Sequence, residues 1–435
     1  MFKVTGKYNA AKVFASSSDN ETVKQLKHLC DQEWVAGSNI AIMPDNHAGK
    51  GCTIGTTMTI NGKVCPNLVG VDIGCGMLTV QLPKELNQIS LQKLDNFINS
   101  NIPSGFDVNK ERIYNSLNEG LHLEKLRCYD SLKNKEQLEK AVGSLGGGNH
   151  FIEVDEDDEK NKYLVIHTGS RNLGKQVAEH YQKLAEDDCN HQNDARKKEL
   201  NALITKLKNE GRQNEIQSSI KSFDMNYQNK TKIDKDLCYL EGNHLDDYLH
   251  DMFICQHFAR VNRKYIALKI LEHLFEDRYG NNEGTVWLEI DGDSGYEDKD
   301  IDIRLNAFET IHNYISPTDK ILRKGAISAR ANEKVLIPIN MRDGAIIGLG
   351  KGNPEYNFSG PHGAGRLMSR SEAKKCISLA EFTSEMKDVY SSSIGVSTLD
   401  ESPMAYKPLE EILNNIDDTI EVLKIIKPIY NFKAH

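Results

Sequence analysis

Two stretches of the chain carry helical apolar spacing. Residues 174–222 mix Ala, Leu, Lys and Glu with apolar positions about 3.6 residues apart. Residues 246–279 repeat the pattern, with Leu249, Phe253, Phe258, Val261, Ile266, Ile270, Leu271 and Leu274 forming one predicted buried stripe. Short runs of apolar and β-branched residues predict strands at 39–43, 66–72, 77–81, 151–154, 163–167, 286–290 and 335–338. These strands interleave irregularly with the helices, so the pattern points to an α+β fold of mixed sheets, not a doubly wound parallel sheet. No Pro/Ser-rich linker or internal repeat divides the chain. Residues 1–435 therefore read as one domain, with a mainly helical excursion at about 174–280 from a sheet core.

Glycine sharpens this picture. It clusters at 49–55, 70–76, 143–148, 344–352 and 360–365, each cluster interrupting short apolar runs. Such loops let backbone approach a ligand closely, and five of them suggest loops converging from strand ends. The net charge of −9 on 435 residues argues against an indiscriminate nucleic-acid coat while leaving room for a local basic cleft. The longest apolar runs last about five residues, against roughly 20 for a membrane span. The N-terminus has no signal-peptide pattern. Nine scattered cysteines with no CxxC pair read as reduced thiols of a cytoplasmic protein. The acidic run 155–160 reads as a solvated loop.

The histidines divide into two groups. His180, His250, His257 and His273 fall in helical context and are explained by surface or core positions. His150, His167, His312 and His362 sit beside glycine or small polar residues, where a ring can face a cleft. Asp72 and Cys75, in VGVDIGCG, can fold back towards one point. A tight turn with a capping Asp and a packed Cys is one explanation. One carboxylate, one thiolate and several imidazoles holding one or two divalent ions is the other, and that set suits Mn, Fe or Zn. Loops 146–150 and 362–366 can present consecutive N–H groups to an anion, although neither is a P-loop or a dinucleotide fingerprint. Lys50, Arg171, Arg323, Lys324, Arg330, Lys351, Arg366 and Arg370 adjoin the glycine loops, and Lys50, Arg171 and Arg366 are candidate contacts to phosphate.

Seven segments together carry a resemblance: MPDNHAGKG (43–51), VGVDIGCGM (69–77), GGGNHFIEV (146–154), HTGSR (167–171), RKGAISA (323–329), HGAGRLMSR (362–370) and PMAYK (403–407). The chain resembles the RtcB family of RNA-splicing ligases, which join RNA ends. The resemblance implies a complex single domain of mixed sheets with helices packed outside, two Mn²⁺ ions and GTP. By it, Asp72, Cys75 and His150 would hold one metal and Cys75, His167 and His312 the other. His362 would be the nucleophile that takes GMP. Asn149, His150, Phe151, Ile152, Glu153, His312, Asn313, the loop His362, Gly363, Ala364, Gly365, and Lys433 would surround the nucleotide.

The implied partners are RNA with a 3′-phosphate or 2′,3′-cyclic phosphate, RNA with a 5′-hydroxyl, and an activating protein; no membrane is implied. Two segments depart from the family pattern. Ser359-Gly360-Pro361 stands where Ser-Cys-Ser is expected, and Ile339-Asn340-Met341-Arg342 follows Pro338 where a small Gly-Ser-Met-Gly loop is expected. Both point to a divergent branch specialised in repairing damaged RNA instead of splicing tRNA. A metal-dependent RNA-end phosphoesterase and a non-catalytic RNA-end-binding protein are the alternative readings.

Overall fold

The same apolar runs that predict strands pair into two large sheets. The computed structural model describes residues 1–49, 51–113, 120–226, 233–279, 285–291 and 301–434. Among the described residues, one sheet runs in the order Phe2–Thr5, Ala10–Val13, Ile40–His47, Ile54–Thr59, Ile321–Lys324 and Asn313–Ile315. The other has eight strands, ordered Thr285–Ile290, Ile301–Ile311, Gly76–Gln81, Lys162–Thr168, Phe151–Glu156, Ile420–Lys433, Gly344–Gly350 and Lys334–Asn340. Parallel and antiparallel pairs occur in both. The fold is α+β with mixed sheets, as the irregular interleaving predicts.

Three helices, Arg171–Asn209, Ile216–Asn226 and Gly242–Tyr279, occupy most of the stretch between strands Lys162–Thr168 and Thr285–Ile290. The helix Gly242–Tyr279 joins two cores. Its first half packs Met252, Cys255 and Phe258 with the six-stranded sheet, and its second half packs Ile266, Ile270 and Leu271 under the eight-stranded one. No described helix is long and apolar enough to cross a membrane.

Four local expectations need correction. The glycine cluster 344–352 is mostly strand, with Gly344–Gly350 paired on both sides, not a loop. Residues 66–72 are not a strand. Pro66–Leu68 is a 3₁₀ turn leading into the 70–75 loop, because Pro66 has no N–H for a ladder and a fixed φ. Phe253 is exposed. In that half of the helix the buried face passes through Leu245, Tyr248, Met252 and Cys255, towards Tyr181 of the helix Arg171–Asn209. The acidic run begins inside a strand, and Asp155 is wholly buried with neither carboxyl oxygen hydrogen-bonded. Burial, then the charge of Glu153, pushes its carboxyl well up.

Candidate active site and metal centre

Strand register gathers the predicted residues where the two sheets meet. Gly76 pairs with both Thr168 and Ile311, so Cys75 lies beside the C-terminal ends of two neighbouring strands. Met77 and Phe151 both pair with His167, and His150 immediately precedes Phe151. His312 is the single residue between Ile301–Ile311 of one sheet and Asn313–Ile315 of the other. Its N–H donates to the Cys75 carbonyl at 3.0 Å, and Gly74 N–H donates to the Asn313 carbonyl at 2.8 Å. Residues up to 240 positions apart thus share one corner because four strand ends do.

The donor atoms converge. Cys75 Sγ lies 3.3 Å from Nε2 of both His150 and His167, and the three atoms lie within 4.8 Å of one another. His312 Nε2 is 3.1 Å from His167 Nε2, and Asp72 Oδ2 is 2.9 Å from His150 Nε2. His167 Nδ1 donates to the Asn149 carbonyl at 3.1 Å, which turns the Nε2 lone pair inward. Asp72 Oδ1 is buried without a hydrogen-bond partner.

The charge states suit cation binding. Burial works to raise the Asp72 carboxyl, but the hydrogen bond and charge of His150 outweigh it, so it titrates below its ordinary value. Burial, then the neighbouring His150 and His312, holds His167 well below 6.5. Burial and His362 bring His312 down to about 3. Both imidazoles are neutral ligands at pH 7. Burial and the Asp72 charge push the Cys75 thiol up, so an incoming metal must displace its proton. One soft and several borderline donors in a buried position, with a carboxylate that has an orphaned oxygen, fit a divalent transition ion.

Two side chains on the helix Gly242–Tyr279 fix the ligand-bearing backbone. Arg263, wholly buried, donates from Nη1 to the carbonyls of Gly74 (2.9 Å) and Thr168 (2.8 Å), while its Nε pairs with Glu309 at 2.8 Å. Asn262 accepts from the Gly143 and Ser144 N–H groups and donates to the Ser144 and Gly169 carbonyls. Glycine is required at two of these contacts: a Cβ at Gly146 would overlap Nδ1 of His150, and one at Gly169 would overlap Oδ1 of Asp72.

His362 follows the short strand Ser359–Pro361, and its ring centroid lies 5.0 Å from that of His312. Asp45 Oδ2 accepts from His362 Nδ1 at 2.6 Å and from its backbone N–H at 3.1 Å. A carboxylate only accepts, so Nδ1 carries the proton and Nε2 keeps the lone pair. His362 borders a cleft of about 340 Å³, whose walls include Phe151, Glu153, Pro338–Met341, Gly363–Arg366, Glu401 and Lys433. Burial pushes Glu153 up to about 7, against the hydrogen bond from Asn431 and the charge of Lys433.

At the cleft's far end Glu401 accepts from Lys433 Nζ (2.9 Å) and Tyr406 OH (2.7 Å) and faces Arg370 Nη1 at 3.0 Å. Burial would raise its carboxyl, but the charges of Lys433 and Arg370 bring it to about 2.

The family pattern described as tRNA-splicing ligase RtcB matches residues 25–434. The chain belongs to the RtcB family. It is 28% identical over 419 residues to the RNA-splicing ligase RtcB of Escherichia coli strain K12, covering 91% of this chain and 90% of that one. It is also 26% identical over 497 residues to the tRNA-splicing ligase RtcB of Nanoarchaeum equitans, covering 97% and 94%. A third relative, an RNA-splicing ligase RtcB homologue of Entamoeba dispar, is 24% identical over 474 residues, covering 90% and 78%.

Within this RtcB fold some predicted residues stand apart. Ile152 points away from the cleft into the core beneath the eight-stranded sheet, opposite Phe151 and Glu153, because side chains alternate along a strand. Asn313 bridges loops, donating to the Asp72 carbonyl at 3.3 Å and accepting from Gly325 N–H at 2.9 Å. Arg366 borders the cleft, yet its guanidinium is engaged by Met368, Tyr406 and Asp400. Arg171 is part-buried near Asp72 and donates to Ser144 Oγ and the Gly105 carbonyl. Lys50 lies outside the described residues.

Sequence reading missed Asp45, Asn262, Arg263 and Glu401. For the helical pair a signal exists: Asn262 and Arg263 fall four residues after the buried Phe258 and Ala259, polar residues on apolar spacing.

Proposed function

We propose that this RtcB-family chain is an RNA ligase that joins a 3′-phosphate or 2′,3′-cyclic phosphate end to a 5′-hydroxyl end, using GTP and Mn²⁺, through guanylylated His362. Asp72, Cys75 and His150 would hold one ion and Cys75, His167 and His312 the other. Bound there, the ions supply Lewis-acid neutralisation of charge developing on phosphoryl oxygens. His362 Nε2 attacks the α-phosphorus of GTP; the N–P bond forms as the bond to the pyrophosphate oxygen breaks. The positive charge gained by the ring is met by Asp45 through the Nδ1 proton, which stays on Nδ1. The RNA 3′-phosphate then takes GMP from His362, and the 5′-hydroxyl oxygen displaces GMP to form the phosphodiester. Phe151, Glu153 and Lys433 are suited to line the nucleotide base, and loop 363–365 to offer N–H groups to phosphate. Nine free thiols accord with a reducing, cytoplasmic setting.

The observation that carries this reading is the Asp45–His362 pair, 2.6 Å apart, one ring away from the ligand cluster. A phosphoesterase would need the cluster but not a histidine held as a nucleophile. The test supplies RNA strands with 3′-phosphate or cyclic-phosphate and 5′-hydroxyl ends, with GTP and Mn²⁺. Sealed product dependent on GTP is expected; phosphate removal without sealing would favour the phosphoesterase, and binding without turnover the non-catalytic reading.

A further inference from the structure

One rim of the ligand cluster carries an aromatic ring that none of the described residues covers. Phe106 is 100% exposed, more than any other large apolar side chain among the described residues. Single exposed apolar residues are ordinary on protein surfaces; what distinguishes Phe106 is how firmly its backbone is held, and where. Leu145 N–H donates to the Pro103 carbonyl at 2.8 Å, and Asp107 N–H turns back to the Ser104 carbonyl at 3.1 Å. Ser104 forms a parallel bridge with Leu145. Arg171 Nη2 donates to the Gly105 carbonyl at 2.6 Å, and Asn109 Nδ2 to the Val142 carbonyl at 2.7 Å. A Cβ on Gly147 would first meet Gly105 Cα, 3.9 Å away. The turn bearing Phe106 therefore lies against the glycine loop that leads into Asn149 and His150.

One guanidinium, that of Arg171, stands beside this turn. Arg171 opens the 39-residue helix Arg171–Asn209 with φ of 59°, a conformation unfavourable for a residue with a side chain. Such strain persists where the surrounding contacts impose it, often at functional sites. The Arg370 guanidinium also reaches this loop, 3.4 Å from where a Gly148 Cβ would stand, but it is already paired with Asp400 and Glu401. An aromatic face on a pinned stem beside a guanidinium is the combination that holds single-stranded nucleic acid, the base on the ring and the phosphate on the cation.

We propose that Phe106 is a stacking platform for a nucleobase at one of the RNA ends being joined, with Arg171 facing its phosphate. This subsite rests on the ligase reading for its choice of RNA. Ring and guanidinium bind a base and a phosphate of any sequence, so the subsite selects single-stranded ends, not a sequence.

The test uses the full chain as wild type, Phe106→Ala, Phe106→Leu and Phe106→Trp. KM for RNA in joining and Kd for a single-stranded 3′-phosphate or 5′-hydroxyl RNA by anisotropy are measured, together with GMP transfer to protein without RNA. For Phe106→Ala, KM and the Kd for one of the two strands are expected to rise about 5- to 150-fold, the range for losing one stacked base. Trp should restore wild-type values within about twofold and Leu should not. GMP transfer should be unchanged in all four. A strand abasic at its terminal two nucleotides should bind wild type as weakly as the intact strand binds Phe106→Ala. Unchanged Kd for both strands in Phe106→Ala, or full rescue by Leu, overturns the proposal and leaves Phe106 to a protein partner. Absence of GMP transfer in wild type would instead defeat the ligase reading, while the anisotropy values still decide the subsite.

Discussion

The ligand cluster and the far end of the cleft hold their side chains by opposite means. In the cluster, ligands sit on or beside the ends of paired strands, and the carbonyls beside them are pinned from behind by Asn262 and Arg263. At the far end, side chains hold one another: Glu401 gathers Lys433, Tyr406 and Arg370 from three separate segments. The first arrangement fixes distances through backbone and suits ions, whose coordination tolerates little displacement. The second fixes charge and leaves shape to the adjoining loops. Of the two departures from the expected pattern, Ile339–Met341 line the cleft while Ser359–Pro361 form a buried strand that leads into His362, and neither alters the ligand set. Chemistry and nucleotide fit can therefore vary separately.

This separation can be broken from either side. Cys75→Ser is expected to have the largest effect, at least about 100-fold on both bound metal and GMP transfer, with the fold retained. Serine keeps its proton at neutral pH and is a poor ligand for such ions. Metal content by mass spectrometry together with circular dichroism checks it; two ions and full GMP transfer in the variant would return Cys75 to a packing role. Arg263→Met leaves the buried Glu309 only its longer contact with Arg260 (3.7 Å) and should cost up to about 3–5 kcal/mol in chemical denaturation. Metal affinity should fall with it, because the carbonyls of Gly74 and Thr168 lose their anchor.

Proton competition offers a gentler perturbation. The Cys75 thiol titrates well above its ordinary value, while His167 and His312 stay neutral far below pH 7. One proton should leave per bound cluster between pH 6 and 8, so metal affinity should rise about tenfold per pH unit and fall as pH is lowered. Calorimetry in buffers of different ionisation enthalpy counts that proton.

Glu401→Gln should act on the other region, raising KM for the nucleotide about tenfold while metal content stays unchanged. The folded carboxyl titrates near 2 against an ordinary 4.5. Its contribution to stability is thus full above about pH 4.5 and disappears as pH falls towards 2, a slope the variant should lack. Loss of metal in Glu401→Gln would show that the two regions are one unit. Cys255→Ser, far along the helix stripe, is expected to change stability by no more than about 1–2 kcal/mol and neither metal content nor KM.

Much of this was legible along the chain because the informative residues are local. Four of the five glycine clusters mark loops wholly or in part, while 344–350 is a strand, and His150 and His167 adjoin strands whose apolar runs are plain. What could not be read was contact across long separations: Asp45 with His362, Arg263 with Gly74, Glu401 with Lys433. Pairing of this kind depends on which strands become neighbours, and no local spacing encodes it. The strand Ile420–Lys433 escaped for a related reason, since its exposed first half and buried second half give no single alternation. The 3₁₀ turn at 66–68 was misjudged because apolar content was weighed above the proline.

The proposed ligase chemistry requires His362, oriented by Asp45, to become covalently guanylylated beside the Cys75–His150–His167 cluster. Incubation of the purified chain with α-labelled GTP or ATP, with and without Mn²⁺, followed by denaturing electrophoresis, tests it directly. The account requires an acid-labile label on protein that needs GTP and Mn²⁺, disappears in His362→Ala and falls sharply in Asp45→Asn. No label on wild type, or a label that persists in His362→Ala, contradicts it.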